Sequence, residues 1–116
     1  MIRANIKIDT PAIEGKVIEA VNKAQFAFDQ QVLKDSNFYI PKDTGELENS
    51  SIRFSKIGEG HLEWNTIYAR RLYYNPEYNF SRDINPNAAG MWFELSKARN
   101  VVDWTRVAET EIKRNL

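Results

Sequence analysis

The chain has no cysteine, a single histidine, five glycines, four prolines and no excess of either charge among its 116 residues. Without cysteine there is no disulfide framework, thiol nucleophile or thiolate metal site. One histidine, His61, provides no second imidazole for a histidine metal pair or a relay. Lysine plus arginine and aspartate plus glutamate are 16 each, so the formal net charge is zero. That balance argues against a polybasic nucleic-acid binder, whose affinity comes from neutralising phosphates. It also removes the long-range repulsion that keeps strongly charged proteins apart. The longest apolar run, Ala88–Phe93, is six residues, far short of the roughly 20 that span a bilayer. Met1–Thr10 carries three charges and no apolar stretch, so it does not read as a signal peptide. The expectation is a neutral single domain over residues 1–116, made in the cytoplasm. A compact fold of this length has a radius of gyration of about 13 Å.

Hydrophobic spacing predicts an α+β fold. Ile2, Ala4, Ile6 and Ile8 alternate with polar residues, the period of a half-buried strand. Thr10-Pro11 then forms an N-cap followed by proline. Ile13, Val17, Ala20 or Val21, Ala24, Phe28 and Val32 recur every three or four residues. They predict an amphipathic helix over about 11–34, some 36 Å long, with Lys16, Glu19, Lys23, Gln25 and Asp29 on its polar side. Asp43 and Glu46 have capping-box spacing, which fits a helical turn over 45–49. Ile52–Ile57 alternates as a strand, Gly58-Glu59-Gly60 suits a hairpin loop, and His61–Asn65 returns with Leu62 and Trp64 on one face. Tyr68–Tyr74 fits a helix or a strand. Residues 75–90 form an asparagine-rich loop of a length that is usually functional or disordered. Met91 to Ile112 keeps near-helical spacing, with Asn100 a possible break. The expected architecture is a long N-terminal helix on an antiparallel sheet of three or four strands, followed by a C-terminal helical segment.

Catalytic patterns are scarce. Asp43-Thr44-Gly45 lacks the lysine and glycines of a phosphate loop. The acidic pairs Glu46/Glu48 and Glu109/Glu111 read as solvated helix faces. A hydrolase or nuclease would have to rest on Asp43, Glu46 and His61. The unusual region is Trp64–Phe93, with eight of the fourteen aromatics, three arginines and five asparagines. Tyrosine, tryptophan and arginine are the residues that anchor protein interfaces. Trp64, Tyr68, Trp92 and Phe93 are read mainly as core. Arg70, Arg71, Tyr73, Tyr74, Tyr78 and Arg82, with the 75–90 loop, are read as a contact surface. Arginines among aromatics also describe single-stranded nucleic-acid platforms. The net charge over 64–99 is only plus two, a weak footprint, so such a binding module is the second reading.

Three blocks of residues resemble a known family. Pro41-Lys42-Asp43-Thr44-Gly45-Glu46-Leu47-Glu48-Asn49-Ser50 is similar to the Pro-x-Asp-Thr-Gly-x-Leu-x-x-Ser signature of tailed-bacteriophage minor capsid, or neck, proteins. Trp64-Asn65-Thr66, Tyr68-Ala69-Arg70-Arg71 and Tyr73-Tyr74 resemble the second block in phages and prophages of Gram-positive bacteria. Asn85-Pro86-Asn87-Ala88 and Gly90-Met91-Trp92-Phe93-Glu94 resemble the third, with Ala98 and Trp104 beyond. Ile67 stands where many members have proline, and Ala89 where glycine is common. The resemblance implies a non-enzymatic virion component at the head–tail junction, without cofactor or metal, assembled in the host cytoplasm. It implies partners among neck, connector or tail-terminator proteins, and a ring of copies, with no membrane and no sequence-specific nucleic acid. Asp43 and Thr44 are then turn and capping residues, alongside the structural positions Pro41, Gly45, Leu47, Trp64, Trp92 and Phe93.

Overall fold

In the computed structural model, residues 1–8, 15–42, 44–76, 80 and 85–116 are described. Strand β1 (Ile2–Asn5) is followed by helix α1 (Gly15–Asn37), helix α2 (Glu46–Phe54) and strand β2 (His61–Trp64). A short helix α3 (Ala69–Tyr73) and a long helix α4 (Trp92–Arg114) complete the chain. The Thr10-Pro11 cap, Asp43, Tyr78 and Arg82 lie outside the described residues.

The fold is α+β, as the spacing predicts, but the sheet among the described residues has two strands and not three or four. β1 and β2 are antiparallel, with Ile2 opposite Trp64, Arg3 opposite Glu63, Ala4 opposite Leu62 and Asn5 opposite His61. The first half of the expected strand over 52–57 is helix. Leu47, Ser50 and Ser51 are the buried residues of α2, spaced by three and four as a helix requires. Ile52 and Phe54, which alternation would turn inward, are exposed. Glu46 and Glu48 in the first turn and Arg53 in the last complement the helix dipole. The glycine turn does reverse the chain. All that remains of the expected hairpin is a bridge from Lys56 to His61, because the residues up to Phe54 are helix and β2 takes the N-terminal strand as its partner on the other edge.

α1 and α4 are each 23 residues long, about 34 Å, and run antiparallel. Phe28 meets Trp104 edge-on at 6.4 Å, and Trp104 Nε1 donates to Asp35 Oδ2 at 2.7 Å. At the other end Lys23 Nζ donates to Asn115 Oδ1 at 3.3 Å. Asn100 does not break α4. Its amide instead donates to the Ser96 carbonyl one turn back at 3.0 Å. The sheet covers only one half of this helix pair, so the molecule measures 49 × 24 × 19 Å with a radius of gyration of 15.4 Å. It is longer than a compact fold of its length because the other half of the pair extends past the sheet.

The core gathers Ile2, Ala4, Val32, Ile40, Leu47, Leu62, Trp64, Ala69, Tyr73, Trp92 and Trp104. Two residues of the supposedly polar face of α1 are also buried, Gln25 and Asp29. The Gln25 amide donates to Asp29 Oδ1 at 2.6 Å and to the Ile6 carbonyl at 3.1 Å, while its oxygen accepts the Ile8 N–H at 2.5 Å. Asp29 Oδ2 accepts the N–H groups of Gly58 at 2.7 Å and Gly60 at 2.9 Å. Gly60 has φ +70°, and a Cβ there would lie 2.7 Å from the Lys7 nitrogen. Only glycine lets the turn approach the chain just after β1 so closely. Replacing Asp29 by alanine strands the buried Gly60 N–H, the half-buried Gly58 N–H and the Gln25 amide. It is expected to cost about 3 kcal/mol, read as a lower urea midpoint for unfolding with an unchanged slope.

Candidate functional site

The Trp64–Phe93 segment divides into a buried and an exposed set. Trp64 and Trp92 are wholly buried and meet edge-on with centroids 6.0 Å apart. Tyr73, expected on a contact surface, is instead core. It is buried and lies 4.6 Å from Trp92, perpendicular to it. The reason is the helical period of α3, which points Ala69 and Tyr73 inward together. Tyr68 and Phe93 are half-buried and pack against the same cluster.

The period that buries Ala69 and Tyr73 turns Arg70, Arg71 and Tyr74 outward, with Ile67 just before the helix on the same side. Tyr74 is 59% exposed and Ile67 fully so. Neither arginine has an ion pair among the described residues, whereas Arg3, Arg53, Arg106 and Arg114 each do. Five residues are too few for a free-standing helix, so the surroundings hold α3 in place. The Met91 N–H donates to the Tyr73 carbonyl at 2.9 Å. Asn75 closes the C-terminal end by donating to the Arg71 carbonyl at 2.6 Å. A Cβ on Gly90 would lie 2.9 Å from Pro76 and 3.0 Å from the Leu72 oxygen, so glycine is what lets the α4 approach close against α3.

The three sequence blocks meet in space. Pro41, Thr44, Gly45, Glu46 and Leu47 of the first line a cleft of about 280 Å³ together with Tyr68, Arg71 and Leu72 of the second. Thr44 Oγ1 accepts the Glu46 N–H at 3.3 Å, a contact within the turn that precedes α2. The third block is tied to the chain just before the first. Asn85 donates to the carbonyls of Phe38 and Ile40 at 2.9 and 2.7 Å, and the Ala89 N–H donates to the Tyr39 carbonyl at 2.8 Å. Asn85 and Ala88 are buried, so these two residues of the 75–90 loop serve the fold, while Pro86 and Asn87 between them are exposed. A larger groove of about 490 Å³ runs beside α1 past Leu33, Phe38 and Ile57. None of the described residues expected to make contacts lines it.

The chemistry offered elsewhere is modest. His61 Nε2 lies 2.9 Å from Glu63 Oε1 and its Nδ1 3.3 Å from Asn5 Oδ1, while Glu46 is paired with Arg53 at 2.7 Å. The two are thus engaged in separate contacts. Among the described residues no group of histidine, aspartate and glutamate side chains is arranged to hold a metal, and no helix is long and apolar enough to cross a membrane. With Trp64, Tyr73 and Trp92 buried, Tyr74 is the exposed ring beside the arginines among the described residues.

The fold and site therefore define a small helical α+β protein whose accessible features suit contact with other macromolecules. The chain matches the family model for minor capsid proteins over residues 4–111 and belongs to that family. It is a structural phage protein, and membership points to a component of the virion with other virion proteins as partners, and away from catalysis. No curated protein and no solved structure matches the chain.

Glu63 is the buried carboxylate of the outer sheet face. Burial pushes its pKa up, but hydrogen bonds from His61 and Asn65 and the charges of Arg3 and His61 outweigh this and hold it below the usual 4.5. A carboxyl lowered on folding contributes stability above its unfolded pKa and loses it as pH falls through the folded value. Glu63→Gln is therefore expected to be less stable than the native chain at neutral pH. The gap should narrow as the medium is acidified below about pH 4, measured by urea unfolding at a series of pH values.

Proposed function

We propose that this protein works at the phage head–tail junction, assembling by protein–protein contact into a ring, with the outward face of α3 as one of its two contact patches. The observation that carries this reading is the set Ile67, Arg70, Arg71 and Tyr74. An isoleucine wholly in solvent, an open tyrosine and two arginines without ion-pair partners among the described residues make the composition of an interface hot spot. A ring requires two different patches that meet head to tail. The α3 face would meet carboxylates and apolar groups of a neighbouring copy, or of a neck, connector or tail-terminator protein. Arginine forms bidentate pairs with such carboxylates. Tyr78 and Arg82 belong to the same proposal by sequence. The host would be a Gram-positive bacterium, with assembly in its cytoplasm.

Family membership and the modest charge of this segment favour this reading over a nucleic-acid module. The decisive experiment is Arg70→Glu with Arg71→Glu in a phage that depends on this gene. Both side chains are exposed, so the variant should keep its thermal midpoint while partner binding weakens about 30-fold or more and particles accumulate without joined heads and tails. Normal particle yield from the double variant would overturn the assignment. Binding that falls steeply with salt on single-stranded DNA, and is lost in the same variant, would favour the nucleic-acid reading instead.

A further inference from the structure

The two-stranded sheet is closed on one side and open on the other. The Ile6 N–H donates to the Gly60 carbonyl at 2.7 Å. By the alternation of an antiparallel ladder, Ile2, Ala4 and Ile6 therefore turn their main-chain groups toward β2, and Arg3 and Asn5 turn theirs away. The far edge of β2 is sealed. Ser55 Oγ accepts the Glu63 N–H at 3.0 Å, Ser50 Oγ accepts the Asn65 N–H at 3.1 Å, and the Lys56 N–H donates to the His61 carbonyl at 2.8 Å. On the β1 side no described residue hydrogen-bonds the main chain of Arg3 or Asn5. Among the described residues β1 is the one open edge, and such an edge is a template for another strand. Two strands alone are also a marginal sheet.

We infer that the open edge of β1 pairs with β1 of a second copy of this chain, forming a four-stranded antiparallel sheet across a two-fold axis. With one open edge per copy, strand pairing between copies can only be isologous. Three registers join outward-facing residues. Centring on Arg3 sets two arginines opposite each other, and centring on Asn5 sets Arg3 against Lys7. Centring on Ala4 sets Arg3 across from Asn5 of the second copy, Ala4 across from Ala4, and Ile2 across from Ile6. That register avoids opposed like charges and joins the apolar inner faces of the two sheets into one strip. The zero formal charge of the chain leaves no net repulsion against pairing. This pairing uses Ile2–Ile6 and none of the residues of the α3 face. Being two-fold, it is the form of the protein before it joins a polar ring, a contact separate from the one proposed above.

Amide hydrogen exchange on the full-length protein, from micromolar to millimolar concentration, tests this. Arg3 and Asn5 should exchange freely when dilute and at least about tenfold more slowly when concentrated, as sedimentation shifts from monomer to dimer. Asn5→Pro removes an N–H that takes no part in the β1–β2 ladder, a position where an edge strand tolerates proline. It should stay monomeric at every concentration. If this variant does not fold, the exchange series on the native chain decides alone. The inference fails if Arg3 and Asn5 remain unprotected at millimolar concentration, or if a dimer forms with its protection elsewhere. It fails equally if Asn5→Pro still dimerises, or if protection appears only when a different protein is added. None of these results bears on the α3 face, which is read by particle assembly.

Discussion

Gln25 and Asp29 sit one turn apart on α1, both buried, and between them they replace a hydrogen bond that the sheet does not make. A regular ladder would return the Ile6–Gly60 contact with a bond from the Gly60 N–H to the Ile6 carbonyl. Here the Gly60 N–H goes to Asp29, the Ile6 carbonyl goes to Gln25, and the two side chains bond each other. The helix is thereby stitched into the end of the sheet. A buried charge is tolerated only when its hydrogen bonds are made, and Asp29 receives three. The arrangement is strict, because removing any member leaves a buried group without its partner. It fixes α1 across the sheet, ends β1 at Asn5 and holds the glycine turn that aims β2.

Once α1 is placed, a second polar line follows from its C-terminal end. Asn37 accepts the Trp64 indole N–H at 2.9 Å and donates to Ser51 Oγ at 3.0 Å. That links the last turn of α1, the end of β2 and the middle of α2. Ser50 and Ser51 bond back to the Leu47 and Glu48 carbonyls at 2.7 and 2.6 Å, and Ser50 also caps the edge of β2. Small hydroxyl residues at these positions allow α2 to lie directly along the strand. Had they been large and apolar, the Asn65 N–H at the end of the strand and the Asn37 amide would have lost their partners. The price is a polar inner face for α2, so Ile52 and Phe54 have no inward place and face solvent.

The sequence was most legible where one pattern had one meaning. The two long helices, the strand at Ile2, the pair Leu62 and Trp64, and the Glu19–Lys23 pair at 3.6 Å follow from spacing alone. It was least legible where a polar residue is buried or an apolar one exposed. Gln25 and Asp29 read as solvent-facing because their partners are main-chain groups, which no side-chain pattern records. Ile52 and Phe54 read as inward for the converse reason. Val101 and Val102 are also exposed, because the inward face of α4 is set by Trp92, Ser96 and Trp104. The sheet was overcounted through that same α2 segment. At the candidate site the arginines and Tyr74 stood out by composition. Separating Tyr73 from them needed the choice between helix and strand, which five residues do not decide.

The way α3 is held bears on what its outward face can do. An arginine or tyrosine on a mobile segment loses side-chain and backbone freedom when it docks, and that loss is subtracted from binding. α3 is fixed beforehand by Tyr73 in the core, by the Met91 N–H on its last carbonyl and by Gly90 closing against Leu72. Met91 itself takes a left-handed backbone conformation, φ 47°, uncommon for a residue with a side chain, at the point where α4 begins. Strain of this kind persists only where the surroundings over-determine it. The bond from Met91 to Tyr73 and the buried Trp92 next in sequence provide that constraint. The third block thus supports the second, which explains why residues so far apart in the chain form one pattern. The buried half of the segment holds the exposed half in a fixed shape.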